Sequence, residues 1–349
     1  MAANTFGHHF QIHSFGESHG TALGCVIEGC PSNLIFDVEL LKQELNRRRP
    51  GHHGLNINEV VSQRSENDEP EILSGVFEGK TLGTPIAILV RNQDARSEDY
   101  KEIKTQARVG HADDMWAIKF GHRDHRGGGR SSGRETVARV MGGAVAKMIL
   151  KHLAPELRIL GFTTQVGPLK LTDAERTQFL KLENAQAYPQ DAFFARFPSS
   201  QDEKVKSLLR EAQSTGGSYG AQVEIRVKNM KPGLGQPVFH KLKSDLAAAL
   251  MSVGAVAWIQ IGEGNPESES GSHFHRSSGV EVYGGIRGGV STGQDLILKV
   301  GLKPTSSILD VAKKGRHDPC IATRAIPVLE AMTAMALADQ FLLQRLDQI

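Results

Sequence analysis

The sequence predicts an α+β protein, a single domain over residues 1–349 in which sheets pack around central helices. Three observations carry this. Six stretches rich in β-branched and apolar residues each end near Gly, Pro or Asn, as strands do. Helical spacing of apolar residues is confined to a few segments, two of them long and apolar on most sides, which places them inside. No low-complexity linker and no short-period repeat divides the chain.

The strands are predicted at "ALGCVIEGC" (22–30), "GTPIAILVRN" (83–92), "ELRILGFTTQVG" (156–167), "YGAQVEIRVKNM" (219–230), "AVAWIQIGEG" (255–264) and "QDLILKVGLKP" (294–304). A first helix is predicted over 37–49: Val38, Leu41 and Leu45 recur at helical spacing, Asp37 can cap it and Pro50-Gly51 ends it. A second is predicted over 132–151, where Ser132 and Glu135 stand three apart as in a capping box. Gly142-Gly143 inside it costs about 1 kcal/mol per glycine against alanine, so the pair marks close packing on another backbone. A third, over 238–250, puts Phe239, Leu242, Leu246 and Leu250 on one stripe. The last, roughly 324–345, is apolar on most sides and is expected to be buried, here or against another subunit. Each long apolar helix follows a Gly/Arg-rich loop, which hints at two related halves.

The 41 basic and 39 acidic residues give a net charge of +2, which argues against non-specific nucleic-acid binding as the main task; any anion site must be local. Three cysteines without a C-x-x-C disfavour a disulfide framework or a structural zinc and point to a reduced, cytoplasmic setting. The N-terminus lacks a basic region followed by an apolar core, so no signal peptide is read. No run of 18 apolar residues suggests a membrane span.

Five loops concentrate histidine, arginine and small residues: "FGESHG" (15–20), "RRRPGHH" (47–53), "RVGHADD" (108–114), "KFGHRDHRGGGRSSGRE" (119–135) and "KPTSSILDVAKKGRHDPC" (303–320). Gly and Ser let backbone N–H groups approach an anion, and Arg offers a planar fork for phosphate or carboxylate. Arg130 and Arg134 stand where a helix begins, which is the positive end of its dipole. Their presence there makes sense if a multiply charged anion binds both the helix N–H groups and the guanidinium groups. Arg47, Arg48 and Arg49 close the first helix, where cations are favoured in any case. The histidines offer no trusted metal-ligand spacing: His8, His9, His13, His52 and His53 are scattered or adjacent, and His122 and His125 sit in a glycine loop. No metal site is read. "GESHG" fits the G-x-S-x-G pattern but lies between two strands, without the strand-to-helix turn of a serine nucleophile. There is no P-loop and no dinucleotide fingerprint between a strand and a helix; "GGIRGGVSTG" (284–293) leads into a strand. The residues alone give an enzyme with a strongly anion-binding site, with histidines and the aspartate of "RHD" as candidate acids and bases.

Together the loops resemble the chorismate synthase family over about residues 6–340. The resemblance rests on "FGESHG", "RRRPG", "GHADDMWAIKFGHRDHRGGGRSSGRETVARV", "PGLGQPVFHKLKSDLAAALMSVGAV", "KPTSS" and "GRHDPCIATRAIPVLEAM". It implies a β-α-β sandwich, helices between antiparallel sheets, with internal pseudo-symmetry, assembled as a homotetramer. It implies conversion of 5-enolpyruvylshikimate 3-phosphate to chorismate and phosphate by anti-1,4-elimination, with reduced FMN required and not consumed. By motif position, His19 matches a histidine beside the flavin, His111 the histidine that protonates the departing phosphate, and Asp318 the aspartate that acts with the flavin in removing the C6 proton. Arg48, Arg108, Arg134 and Arg316 match positions near phosphate or carboxylate groups, with Ser18 and Arg64 as further substrate contacts. Arg130, Ser131, Ser132, Gly254, Ala255, Gly288, Lys303, Pro304, Thr305, Ser306, Ser307 and Arg316 match flavin-contacting segments. The chain departs from the family pattern at Gly54, where an arginine is common, at Val109 in "RVGH" and at Gly254, where asparagine is common. No added nucleotide-binding segment is present, so an external flavin reductase is expected, with NADPH an indirect reductant. A flavin-binding oxidoreductase on the same scaffold is the alternative. A polyanion-binding protein is disfavoured by the near-neutral charge and the 6% aromatic content.

Overall fold

The computed structural model describes residues 3–49, 67–92, 110–182, 193–264, 266–276, 282–306 and 318–347. Its strands are β1 (Thr5–Phe6), β2 (Gln11–Gly16), β3 (Ala22–Glu28), β4 (Glu71–Ile72), β5 (Val76–Phe77), β6 (Lys80–Thr81), β7 (Ile86–Arg91), β8 (Arg158–Val166), β9 (Leu169–Lys170), β10 (Ala221–Lys228), β11 (Val256–Ile261), β12 (Ile286–Arg287), β13 (Val290–Ser291) and β14 (Leu296–Leu302). Its helices are α1 (Val38–Arg48), α2 (Asp113–Phe120), α3 (Thr136–Leu153), α4 (Asp173–Leu182), α5 (Asp202–Thr215), α6 (Leu242–Met251), α7 (Gly271–Arg276) and α8 (Ala322–Gln344).

The architecture is α+β, with two antiparallel five-stranded sheets and helices between them. The first sheet runs β1-β2-β3-β7-β4 and the second β9-β8-β10-β14-β11. In the first, Cys25 of β3 stands opposite Ser14 and Ile88; in the second, Ile225 of β10 stands opposite Gly161 and Leu298. Helix α3 lies on β2 and β3, α8 lies on β8 and β10, and the two helices pack on each other. The layers are therefore sheet, helix, helix, sheet. The halves repeat one plan. A hairpin (β5–β6, then β12–β13) precedes a central strand (β7, then β14), which leads towards the long buried helix (α3, then α8).

Local chemistry explains the elements. The Asp37 carboxylate accepts the Leu40 N–H at 2.9 Å and caps α1. Helix α8 is long and apolar enough to cross a membrane by length and composition, but here it is the centre of the core. Its two buried carboxylates each hold a distant segment. Glu330 accepts the Gly161 N–H at 2.8 Å and pairs with Arg47 at 2.6 Å. Asp339 accepts the backbone N–H groups of His8, His9 and Phe10 at 2.9, 2.7 and 2.9 Å. The Glu330 and Asp339 carboxylates are thereby satisfied across the fold.

The glycine pair in α3 meets α8 directly. A Cβ on Gly143 would stand 2.3 Å from Ala331 Cβ, and one on Gly142 2.9 Å from Met335 Sδ. Alanine would gain about 1 kcal/mol of helix propensity, but the clash is with the partner helix rather than with a flexible tip. Gly143→Ala should therefore lower stability by roughly 1–3 kcal/mol, read as a lower denaturation midpoint; a midpoint at or above wild type would show that the interface can open without cost.

Two expectations need correction. Phe239 is not on a helical stripe: α6 starts at Leu242, because His240 takes φ +57° and turns the chain, and Phe239 is exposed. The helix expected from 132 starts at Thr136, after two 3₁₀ turns, Gly129–Ser131 and Gly133–Glu135. Ser132 Oγ accepts the Arg134 N–H at 3.3 Å, while Glu135 pairs with Arg139 at 2.9 Å, so the reciprocal capping box is not formed. All three cysteines are free and buried; burial pushes the Cys25 and Cys320 thiols up to about 12 and Cys30 to about 11.

Candidate active site

A cleft of about 660 Å³ lies where the end of α1, the turns before α3, the start of α8 and the end of β14 converge. One wall is apolar, formed by Ile12, Val328, Met332 and Met335. The rest is strongly cationic: Arg48, Arg130, Arg134, Arg139, Lys303 and Arg324 line it, against the carboxylates of Glu135 and Asp318. The charge that is absent from the chain as a whole is thus concentrated here, in partly desolvated surroundings where it acts most strongly on an anion.

The arginines are fixed from behind. Arg48 ends α1, and its Nη2 donates to Asp68 at 2.6 Å; Arg134 Nη1 donates to the other Asp68 oxygen at 2.5 Å. Arg134 Nε also donates to Asn92 Oδ1 at 3.1 Å. Burial pushes the Arg48 guanidinium down to about 10; Asp68 pulls against that, while Arg134 and Arg324 add to it. It remains a cation at neutral pH. Burial would raise the Asp68 carboxyl, but the two arginines outweigh it and hold it below the usual range. Two buried cations share one carboxylate, so the cluster keeps a net positive charge toward the cleft. Among the described residues, the buried Nε of Arg48 has no hydrogen-bond partner. Arg130 turns the other way, donating to Gly16 O at 3.0 Å and to Ser14 Oγ, so it ties the turns to β2 as well as lining the cleft.

Asp318 is buried and ion-paired with Arg324. Its carbonyl accepts Thr305 Oγ1–H at 3.2 Å, and the Lys303 N–H donates to Ala255 O at 2.9 Å, so the 252–255, 303–306 and 318 segments form one rim. His111 lies just before α2 and also lines the cleft. The glycine loop explains its setting. A Cβ on Gly128 would stand 3.2 Å from the His111 ring, one on Gly127 2.2 Å from His19 Nδ1 and 2.9 Å from Ser18 Oγ, and one on Gly129 2.9 Å from Glu17 Oε2. Three consecutive glycines let one strand of backbone pass between the two histidines. Gly127→Ala should displace His19 and reduce activity while the far-ultraviolet circular dichroism stays that of wild type; undiminished turnover would detach His19 from the site.

The structure brings Arg48, His111, Arg130, Ser131, Ser132, Arg134, Gly254, Ala255, Lys303, Pro304, Thr305, Ser306 and Asp318 to this one cleft. Ser18 and His19, hydrogen-bonded to each other at 3.0 Å, are buried behind the glycine loop in the β2–β3 turn rather than on the lining. Gly288 sits in the β12–β13 turn, off the lining, with φ +62°. Arg64, Arg108, Ser307 and Arg316, with Gly54 and Val109, lie outside the described residues. Reading the sequence missed Asp68, Arg139 and Arg324. Arg139 stands four after Glu135 on one helix face and donates to Ser252 Oγ at 2.6 Å. Arg324 was visible inside "CIATRAIP". Asp68, in "SENDEPE", carries no local signal.

An α+β scaffold with a cationic cleft, an apolar wall, a histidine and a buried carboxylate defines an enzyme for a polyanionic small molecule. Comparison with known proteins makes this particular. The chorismate synthase family model matches residues 10–342. The chain is 59% identical over 350 residues to the chorismate synthase of Bdellovibrio bacteriovorus, covering all of both chains. It is 43% identical over 369 residues to that of a Ruegeria species, covering 99% of this chain and 96% of the relative. A crystal structure of a chorismate synthase superposes with a TM-score of 0.76 at 30% identity, covering 97% of this chain and 93% of the other. The chain belongs to the chorismate synthase family, and with it to the lyases of the shikimate pathway.

Proposed function

We propose that this cleft converts 5-enolpyruvylshikimate 3-phosphate to chorismate and phosphate, with reduced FMN bound beside the substrate. The observation that carries the reading is that His111 and Asp318 face one cleft whose cations outnumber its carboxylates. The substrate carries a phosphate and two carboxylates, and Arg48, Arg134 and Arg324 supply forks for them. Their anchoring by Asp68 and Asp318 fixes them before substrate arrives, which spares reorganisation in the reaction.

In the elimination the C3–O bond to phosphate breaks, a proton leaves C6, and the ring gains the second double bond of the diene. His111 gives a proton to the departing phosphate oxygen, which makes it the better leaving group. Asp318, held by Arg324, stands on the rim where the C6 proton is taken up. The apolar wall of Met332, Met335 and Val328 suits the flat face of a flavin ring, and Arg130, Ser131, Ser132, Lys303 and Ser306 offer donors for its carbonyls and phosphate. The chemistry supplied by bound reduced FMN is transient donation of electron density to the carbon that loses phosphate. His19, behind the glycine loop, would act on a bound flavin. A separate reductase supplies reduced flavin, and the setting is cytoplasmic. Exposed Ile118, Phe120 and Phe239 are apolar surface that a homotetramer would cover.

The test is anaerobic. Purified protein is mixed with 5-enolpyruvylshikimate 3-phosphate and chemically reduced FMN, with chorismate followed by absorbance and phosphate assayed in parallel. Both products should appear together and only with reduced flavin. Folded protein that binds FMN but releases neither would overturn the proposal.

A further inference from the structure

We propose that His8, His240 and Asp245 form a surface site for a divalent transition ion of the zinc class, separate from the cleft. None of the three lines the cleft. Spacing in the chain gives no hint of the site; the fold makes it. His8 lies between β1 and β2, His240 in the turn before α6, and Asp245 in the first turn of α6. One donor atom from each lies within 4.8 Å of the others. The two imidazole rings meet edge to face with centroids 4.1 Å apart.

The distances suit a metal better than a hydrogen bond. His240 Nδ1 and Asp245 Oδ1 are 3.4 Å apart, long for a hydrogen bond between such groups. Two donors at about 2.0–2.1 Å from a tetrahedral zinc stand about 3.3 Å apart, which is this separation. Surrounding contacts hold the three residues in place. Gln340 Nε2 donates to Asp245 Oδ2 at 2.6 Å, so Oδ1 is the oxygen left facing His240. The His240 carbonyl accepts from Gln236 N at 3.1 Å and from Gln340 Nε2 at 3.4 Å, which holds its left-handed backbone in place. The His8 N–H is held by Asp339, the neighbour of Gln340 on α8. Two adjacent residues of a buried helix thus hold the backbone at His8 and His240 and one oxygen of Asp245.

The donor set selects the ion. Two imidazoles and one carboxylate suit zinc, copper or nickel, whereas calcium and magnesium take oxygen ligands. Three protein donors leave a tetrahedral ion one position for water. The bound ion would tie the chain's first segment to the turn before α6 and so raise thermal stability.

The experiment uses full-length, metal-stripped protein titrated with Zn²⁺ by calorimetry, alongside His8→Gln, His240→Asn and Asp245→Asn. Asparagine is chosen at 240 because it tolerates the left-handed backbone. One Zn²⁺ per chain should bind to wild type and raise its melting temperature, and each variant should bind at least about tenfold more weakly. Unchanged affinity in either histidine variant, or no stoichiometric binding to wild type, would overturn the site. Electron paramagnetic resonance of the Cu²⁺-loaded wild type gives a check that needs no variant. Coupling to two imidazole nitrogens is expected, and a spectrum without them sinks the assignment.

Discussion

His111→Ala is expected to lower the turnover of the proposed elimination by about 10²–10⁴-fold, the range typical of a lost general acid. The side chain stands on the cleft beside the Gly128 backbone, among cations that, on the proposed function, would bind the phosphate in ground state and transition state alike. Those cations remain in the variant, so KM for substrate should change far less than kcat. This division is the signature of an interaction made in the transition state alone. Steady-state kinetics under anaerobic conditions with excess reduced FMN reads both constants. A variant with full turnover would remove His111 from proton transfer and leave the arginines alone to expel the phosphate.

Asp68→Asn is expected to cost about 3–5 kcal/mol, because it leaves two buried guanidinium groups facing each other with their shared counter-charge removed. The substitution keeps size and shape, so the loss reports charge rather than packing. Urea unfolding monitored by tryptophan fluorescence measures it, and binding of substrate should weaken as Arg48 and Arg134 separate. The pH dependence has a fixed sign. The folded carboxyl titrates below its unfolded value of about 3.9. Its contribution is therefore complete above about pH 4 and is lost as the pH falls through the folded value. Between about pH 4 and that lower value, wild type should lose stability faster than the variant. Parallel curves would mean that Asp68 contributes nothing by its charge.

Much of the fold was legible because its signals are local. Among the described residues, six of the seven strands of six or more residues were visible as β-branched runs, and α1 by its cap and its breaker; β2, whose run QIHSFG is half polar, was not. Gly142-Gly143 announced the contact with α8 because a glycine pair inside a helix demands a reason. The start of α3 was misread by four residues because Ser and Glu at capping-box spacing also fit the 3₁₀ turns that form there. The doubled plan was harder to read. The hairpins β5–β6 and β12–β13 are short and glycine-rich, and their equivalence appears once the sheet orders are compared. In the site, several residues named from ordered motifs line the cleft, though Arg139 and Arg324 inside the same motifs were passed over, and Asp68, a lone acid in an acidic run, is marked only when two arginines from distant segments close on it. The same holds for His8, which is 232 positions from His240 in sequence and in ring contact with it.

The grip of Asp339 on the backbone of His8, His9 and Phe10 joins groups 329–331 positions apart. A ribosome building this chain emits the first sheet long before it makes the residue that secures the sheet's opening segment. Helix α3 can cover β2 and β3 early, but the face of α3 that packs on α8 stays uncovered until α8 has been made. Folding of the opening segment therefore depends on contacts made late, in a topology rich in distant contacts that folds slowly. Loss of Asp339 would leave the segment at His8, His9 and Phe10 unfastened from α8.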